Sequence, residues 1–167
     1  VRADVLVMAD THLGPGQADR LLTRLGDRLA RADAIVHAGD VTDVSVLEAL
    51  AAAAPLHAVL GNNDHGLVLP ERFEVRIAGC TVAAVHDSGP STGRTARLRR
   101  WFPRADVVLF GHSHAPWHER DVDDRGHVQH HVNPGSAVQR RREPHCTVAW
   151  LSLVDGSVAE VRHEVVG

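Results

Sequence analysis

Short apolar runs recur along the chain, and the early ones each end on a polar residue. Residues 4–9, DVLVMA, end at Asp10, and such a run fits a strand buried on both faces. Residues 17–32 carry Leu21, Leu22, Leu25 and Leu29 at helical spacing. The run 34–38, AIVHA, predicts a second buried strand ending in Gly39-Asp40. Asp43 is placed to cap a helix through about Ala53, which Pro55 stops. A third strand, 56–60, ends at Gly61-Asn62. Strands and helices that alternate with short connections imply parallel strands and right-handed crossovers.

The middle of the chain changes character. Residues 73–79 and 81–87 read as an antiparallel pair joined near Gly79, a short helix covers 93–102, and a strand over 105–110 ends at Gly111-His112. The last third alternates as strands, with turns at Asp123–Gly126 and Asp155-Gly156. There is no linker, repeat or low-complexity stretch, so one α/β domain over 1–167 is expected, parallel at first and more antiparallel later.

Composition adds mainly exclusions. The 167 residues suffice for a substantial core, and 44% apolar with 23% charged residues is ordinary for a globular protein. A net charge of −3 argues against a stable nucleic-acid complex or a membrane surface as partner. No apolar run approaches the ~20 residues of a membrane span, and the start shows no leader pattern; a cytoplasmic protein is expected. All 18 basic residues are Arg, to which we attach no function. Cys80 and Cys146 stand far apart in apolar runs, as buried free thiols do. Among the 13 histidines, His127, His130, His131 and His163 lie in polar stretches and read as surface residues. His37 and His57, inside apolar runs, read as satisfied core residues.

The remaining polar residues gather where strands end: Asp10 and His12, Asp40, Asn62 to Asp64, His86, and His112 with His114. Ligands of open parallel sheets bind at the carboxyl ends of strands. Two aspartates, one asparagine and four histidines form a mixed oxygen and nitrogen set without thiolate. That set suits Mn²⁺, Fe²⁺ or Zn²⁺ better than Ca²⁺. Seven groups exceed the need of one ion that also keeps water, so two ions sharing a carboxylate fit better. Two divalent cations, two aspartates and a bridging hydroxide leave a single positive charge, which still attracts phosphate. Each piece alone is weak, since Asp at a strand end is often a cap and His86 reads equally as a half-buried satisfied histidine. The ordered series is the specific signal.

That series resembles the calcineurin-like metallophosphoesterases, closest in layout to their small bacterial and archaeal phosphodiesterase branch. The family pattern appears as Asp10-Thr11-His12, Gly39-Asp40, Gly61-Asn62-Asn63-Asp64, His86, Gly111-His112-Ser113-His114 and Asn133-Pro134-Gly135-Ser136. The resemblance implies a four-layer α/β/β/α sandwich with two divalent metal ions at the sheet rim, Mn first, with Fe, Zn or Ni admissible. It implies that Asp10, His12 and His114 hold one ion, that Asn62, His86 and His112 hold the other, and that Asp40 bridges. A shared hydroxide would then attack phosphorus in line with the leaving oxygen. Activity should need added divalent metal.

Two departures from the pattern matter. The family often has His or Cys where this chain has Asn63, and a His there, oriented by the next Asp, here Asp64, is its usual proton donor. Asn63 can hydrogen-bond phosphate but cannot donate a proton at neutral pH. His65 is not an obvious substitute, and His12 is the next group to consider. The branch usually continues with Gly after the strand-end His, whereas here Asp87 follows His86; Asp87 would either add charge beside the phosphate or orient a ligand. Arg140, Arg141 and Arg142 follow the Asn133–Ser136 loop, where an Arg could pair with phosphate or the run could simply be solvated.

The expectation is a phosphoesterase, a phosphodiesterase ahead of a monoesterase, acting on a small phosphate ester. A homo-oligomer is compatible with the sequence. The alternative is a non-catalytic metal-binding scaffold on the same fold, of the kind known among retromer-subunit relatives. A nuclease is a third class, against which the lack of basic surface argues. Loops 65–72, 87–97 and 115–127 are left to set specificity.

Overall fold

The computed structural model describes residues 1–167. In chain order the elements are β1 (Arg2–Met8), α1 (Ala18–Leu25), α2 (Arg28–Arg31), β2 (Ala34–His37), α3 (Val44–Ala53), β3 (Leu56–Ala58), β4 (Arg72–Ile77) and β5 (Cys80–Val85). They continue as α4 (Arg94–Trp101), β6 (Val107–Leu109), β7 (Trp117–Val122), β8 (Val128–Asn133), β9 (Thr147–Val154) and β10 (Ser157–Val165). The strands form two five-stranded sheets, ordered β10-β9-β1-β2-β3 and β4-β5-β6-β8-β7.

Three apolar layers make this a four-layer α/β/β/α sandwich. Val5, Val7 and Val36 of the first sheet meet Val82, Val107 and Leu109 of the second between the sheets. Leu6, Met8 and Ile35 point the other way, onto Leu21 and Leu25 of α1 and Val46 and Leu50 of α3. Ala83 and Val108 of the second sheet pack on Leu98 and Phe102 at α4. Strands covered on both faces need apolar residues at successive positions, hence the near-continuous runs in β1 and β2. Each Val or Leu buried in this way contributes roughly 1.5–3 kcal/mol.

The parallel strands position the functional residues. In the first sheet β1 pairs β2 and β2 pairs β3 in parallel; in the second β5 pairs β6 and β6 pairs β8 in parallel. The loops after β1, β2, β3, β5, β6 and β8 carry Asp10, Asp40, Asn62, His86, His112 and Pro134. Both sheets thus deliver their strand ends to one rim. The Ala78-Gly79 and Asp155-Gly156 turns have positive φ at both residues, as two-residue hairpins require.

Several expectations are corrected. The helical stretch 17–32 is two helices, broken where Gly26 takes φ 52°. β1 starts at Arg2 and ends at Met8, β3 is only three residues long, and β6 begins at Val107. The later part is not simply antiparallel: β9 returns to pair antiparallel with β1, while β8 inserts in parallel beside β6. That insertion overturns the surface reading of His130 and His131. β8 is an interior strand, and His131 is fully buried with Nε2 on Gln129 Oε1, while His130 is buried against His118 (2.9 Å). His127 and His163 are half-buried. Both thiols are free, with Cys80 buried and Cys146 only half-buried.

Candidate metal centre

The strand-end loops are zipped together by backbone hydrogen bonds, Asp10 N–H to the Gly39 carbonyl (2.9 Å) and His12 N–H to the Asp40 carbonyl (3.1 Å). Close approach explains the glycines. A Cβ on Gly61 would fall 2.2 Å from Asp40 N and Oδ1, and one on Gly39 would fall 2.5 Å from His86 Nδ1. The loops are also strained. Of nine non-glycine residues with positive φ, six lie here: Asp10, His12, Asp40, Thr42, His112 and His114. Left-handed backbone at such residues costs about 1 kcal/mol or more each, and persists only where the surroundings impose it.

Asp10 Oδ1, His12 Nε2 and His114 Nε2 lie within 4.8 Å of one another. All three are buried and none has a hydrogen-bond partner. A buried polar atom left without a partner costs about 1–3 kcal/mol, and here three converge. Their tautomers and charges suit a cation. His114 Nδ1 donates to the Gln139 carbonyl at 2.5 Å, which leaves the Nε2 lone pair facing the cluster. Burial lowers the pKa of His114, and lowers that of His12 despite the neighbouring Asp40 charge, so both rings are neutral donors. Asp10 is pushed up to about 8 by burial and by the Asp40 charge, although its Oδ2 accepts from His112 N–H (2.9 Å). A carboxylate in that position is one that a cation would stabilise.

A second cluster shares the first one's edge. Asp10, Asp40 and His86 also present ligand atoms within 4.8 Å of one another. Asp40 Oδ2 is central, 3.3 Å from His12 Nε2 and 3.4 Å from His86 Nε2. Burial pushes its carboxyl up, but hydrogen bonds from Asn63 and the nearby His86 and His12 outweigh that and hold it below the usual range. His86 Nδ1 donates to the Ala38 carbonyl (2.7 Å), so its Nε2 lone pair looks at Asn62 Oδ1, 3.0 Å away. His112 Nδ1 lies 3.1 Å from the same oxygen. Two imidazole nitrogens thus converge on one amide oxygen beside the Asp40 carboxylate, an arrangement that a cation among them could share. His86 is buried rather than half-buried, with one ring nitrogen on the backbone and the other facing Asn62 Oδ1.

All seven expected ligands come together, and their supports become visible. Asp64 Oδ2 accepts from Asp40 N–H (2.9 Å) and Gly61 N–H (2.8 Å), and its Oδ1 accepts from Thr42 N–H (2.7 Å). Most of its acceptor capacity is spent tying two loops together, which departs from the expectation that it orients the side chain at position 63. Asn63 donates its backbone N–H to Asp40 Oδ1 and its Nδ2 to Asp40 Oδ2 (2.8 Å). The Asn133–Ser136 loop is a clamp. Asn133 Nδ2 donates to the Gly111 carbonyl and to Ser113 Oγ, and Ser136 Oγ donates to the Asp10 carbonyl. The sequence singled this loop out as a motif without a role for it.

The other residues separate clearly. His57 is half-buried beside Phe73, and His65 is exposed. Asp87 is exposed and accepts from Gly89 N–H, closing a local turn rather than orienting His86. Within the basic run, Arg140 donates to the Glu143 carbonyl, whereas the Arg141 charge is felt at Asp10, His12 and His114. His37 is fully buried, as expected, but its partners are the metal-site loops.

Comparison with known proteins places the chain in a family. The family model of the calcineurin-like phosphoesterase superfamily domain matches residues 4–156. A probable metallophosphoesterase of Methanocaldococcus jannaschii is 34% identical over 152 residues, covering 89% of this chain and 75% of that protein. One of Methanothermobacter thermautotrophicus is 32% identical over 143 residues, covering 83% and 80%. Among solved structures, an archaeal phosphodiesterase superimposes with a TM-score of 0.69 at 20% identity, covering 97% of this chain and 99% of that one. Vacuolar protein sorting 29 of Cryptosporidium parvum gives 0.75 at 18%, covering 98% and 97%. At such identities the two structures speak for the fold alone.

Proposed function

The chain belongs to the calcineurin-like phosphoesterase superfamily, and from that premise we propose that it hydrolyses small phosphodiesters at a centre of two divalent cations. The observation that carries this reading is the buried, unpartnered trio of Asp10 Oδ1, His12 Nε2 and His114 Nε2 beside the central Asp40 carboxylate. Asp10, His12 and His114 would hold one cation, Asn62, His86 and His112 the other, and Asp40 would be shared. Mn²⁺ is the first choice, with Fe²⁺, Zn²⁺ or Ni²⁺ next, because the donors are oxygen and nitrogen without thiolate. When bound, such a pair supplies Lewis acidity to the phosphoryl group and to an attacking water.

The chain's own residues do the rest. Asp40, held ionised, sets the spacing of the two ligand groups. Asn63 keeps one amide N–H on Asp40 and has a second for a phosphate oxygen. Arg141 supplies a guanidinium on the Asp10, His12 and His114 side, where it would pair with non-bridging phosphate oxygens. With one hydroxide counted, two carboxylates against two divalent cations would leave a single positive charge, which matches the single charge of a diester better than the double charge of a monoester. Asn63 has no proton to give at neutral pH, so leaving groups that depart without one should be favoured.

A second reading is a metal-binding scaffold without turnover on the same fold, the fold that vacuolar protein sorting 29 shares. The full set of seven ligand positions weighs against it. The proposed setting is the cytoplasm, with no membrane or nucleic-acid partner; no helix is long and apolar enough to cross a membrane. The deciding experiment measures turnover of bis(p-nitrophenyl) phosphate and p-nitrophenyl phosphate by chelated protein, before and after Mn²⁺ is restored. The expected result is metal-dependent hydrolysis, faster on the diester. Full activity in protein shown by elemental analysis to hold no metal would refute the two-cation centre. Metal uptake without turnover would favour the scaffold.

A further inference from the structure

His37 ends β2 and lies fully buried beneath the metal-site loops. Its two ring nitrogens reach two different loops. Nδ1 accepts from Gly39 N–H at 3.2 Å, the residue before the shared Asp40. With Nδ1 an acceptor, the neutral ring carries its proton on Nε2, which lies 3.1 Å from Thr11 Oγ1. Thr11 is itself fully buried and stands between Asp10 and His12. One imidazole therefore spans the loop that carries two ligands of the first group and the loop that carries the shared carboxylate.

Those loops are where position needs enforcing. Asp10, His12 and Asp40 have φ of 53°, 45° and 58°, and Gly39 has 96°. Backbone so disposed relaxes unless its surroundings over-determine it. The inter-loop backbone bonds fix the chain direction at Asp10 and His12. The side chain between them is held only through Thr11 and His37. An apolar ring at position 37 would fill the same space but leave the Thr11 hydroxyl and the Gly39 N–H unpartnered in the interior.

We infer that His37, through Thr11 and Gly39, is a positioning residue that sets how tightly the Asp10, His12 and Asp40 group holds a divalent cation, although it touches no ligand atom. The inference rests on the two-cation reading of the site. Residues that orient metal ligands typically change affinity by about 10–100-fold when replaced.

The test uses Mn²⁺ as the probe, titrated into metal-free parent, His37→Phe, Thr11→Val and the double variant, with melting of each metal-free protein recorded alongside. His37→Phe should weaken the tighter Mn²⁺ site by about 10–100-fold. Thr11→Val should weaken it by less, and the double variant should be no worse than His37→Phe alone, because Thr11 acts through His37. His37→Asn, which can still accept from Gly39 N–H, should recover part of the loss. A packing role alone would lower the melting temperature and leave Mn²⁺ affinity unchanged in the folded protein. Unchanged affinity in folded His37→Phe, or independent additive losses, would overturn the inference. Should His37→Phe not fold, unchanged affinity in Thr11→Val overturns it as well. A parent that binds no Mn²⁺ would instead refute the two-cation reading.

Discussion

The two halves of the candidate metal centre are built differently. Asp10, His12 and His114 are closed in: Asp10 and His114 side chains are fully buried, His12 is 14% exposed, and the atoms they present to one another have no hydrogen-bond partner. Asn62 and His112 on the other side are exposed, and the Asn62 oxygen already lies within 3.1 Å of both His86 and His112. The closed half has a carboxylate of its own. The open half has no carboxylate besides Asp40. A site that stores unsatisfied buried atoms gains most when a cation arrives, whereas exposed donors exchange water for metal with little net gain. The two cations should therefore bind unequally, tightly in the closed half and exchangeably in the open one.

The largest expected effect comes from the residue common to both halves. Asp40→Asn removes one of only two fixed negative charges and weakens both groups. It should lose both ions by elemental analysis and lower turnover by at least about 10²–10³-fold, the scale seen when one transition-state stabiliser is removed. A variant that retains two ions and near-normal rate would show that Asp40 is not shared.

A smaller effect tests the strain stored in the closed half. Asp10 has a folded pKa of about 8 against an ordinary 3.8. Between those values the folded metal-free protein keeps a proton that the unfolded chain has released. Its stability should then fall as pH rises through that window. Asp10→Asn removes this dependence, so the metal-free variant should melt above the parent at pH 8–9 while binding the tighter ion poorly. Each kcal/mol gained corresponds to about 2–4 °C at this chain length. On the acid side, His37 is lowered to about 3, and His130 and His131 to about 4, mainly by burial. Stability from these three should be lost as pH falls below about 6.5. A metal-free Asp10→Asn protein less stable than the parent at pH 9 would contradict this account of Asp10.

The smallest effect concerns the open half. If no acid stands at position 63, the parent should depend steeply on leaving-group pKa. Asn63→His should help alkyl diesters more than nitrophenyl ones. A positioned acid can contribute about 10²–10⁴-fold, but most of Asp64's acceptor capacity is committed to three backbone N–H groups, so the gain belongs at or below the lower end. A flat plot of log rate against leaving-group pKa for the parent would mean that another residue donates the proton, with His12 the first to examine.

How much of this is visible in the sequence depends on what carried each feature. The candidate ligand positions were legible because short apolar runs that end on a polar residue, several after a Gly, mark buried parallel strands that end at a rim. The role of Asp64 was not, since spacing places it next to position 63 and only folding brings Asp40 and Thr42 N–H to its carboxylate. His130 and His131 looked exposed because VQHHVN has little apolar character; their burial comes from β6, β7 and the layers on either face. His37 was rightly read as satisfied, but nothing in AIVHA says that its partners belong to the ligand loops. Nothing in the run Arg140 to Arg142 says which of the three charges acts at Asp10, His12 and His114; folding makes it Arg141. Local patterns showed which residues end strands, and long-range contacts decided what each end touches.

Calorimetric titration of the metal-free protein with Mn²⁺, repeated with Asn62→Ala and His114→Ala, tests the central claim most directly. The parent should take up two equivalents in two resolved steps, one tight and one weak. Asn62→Ala should keep the tight step and lose the weak one, and His114→Ala should lose the tight step. A single equivalent in the parent, or the same loss in both variants, would contradict a two-cation centre with one closed and one open half.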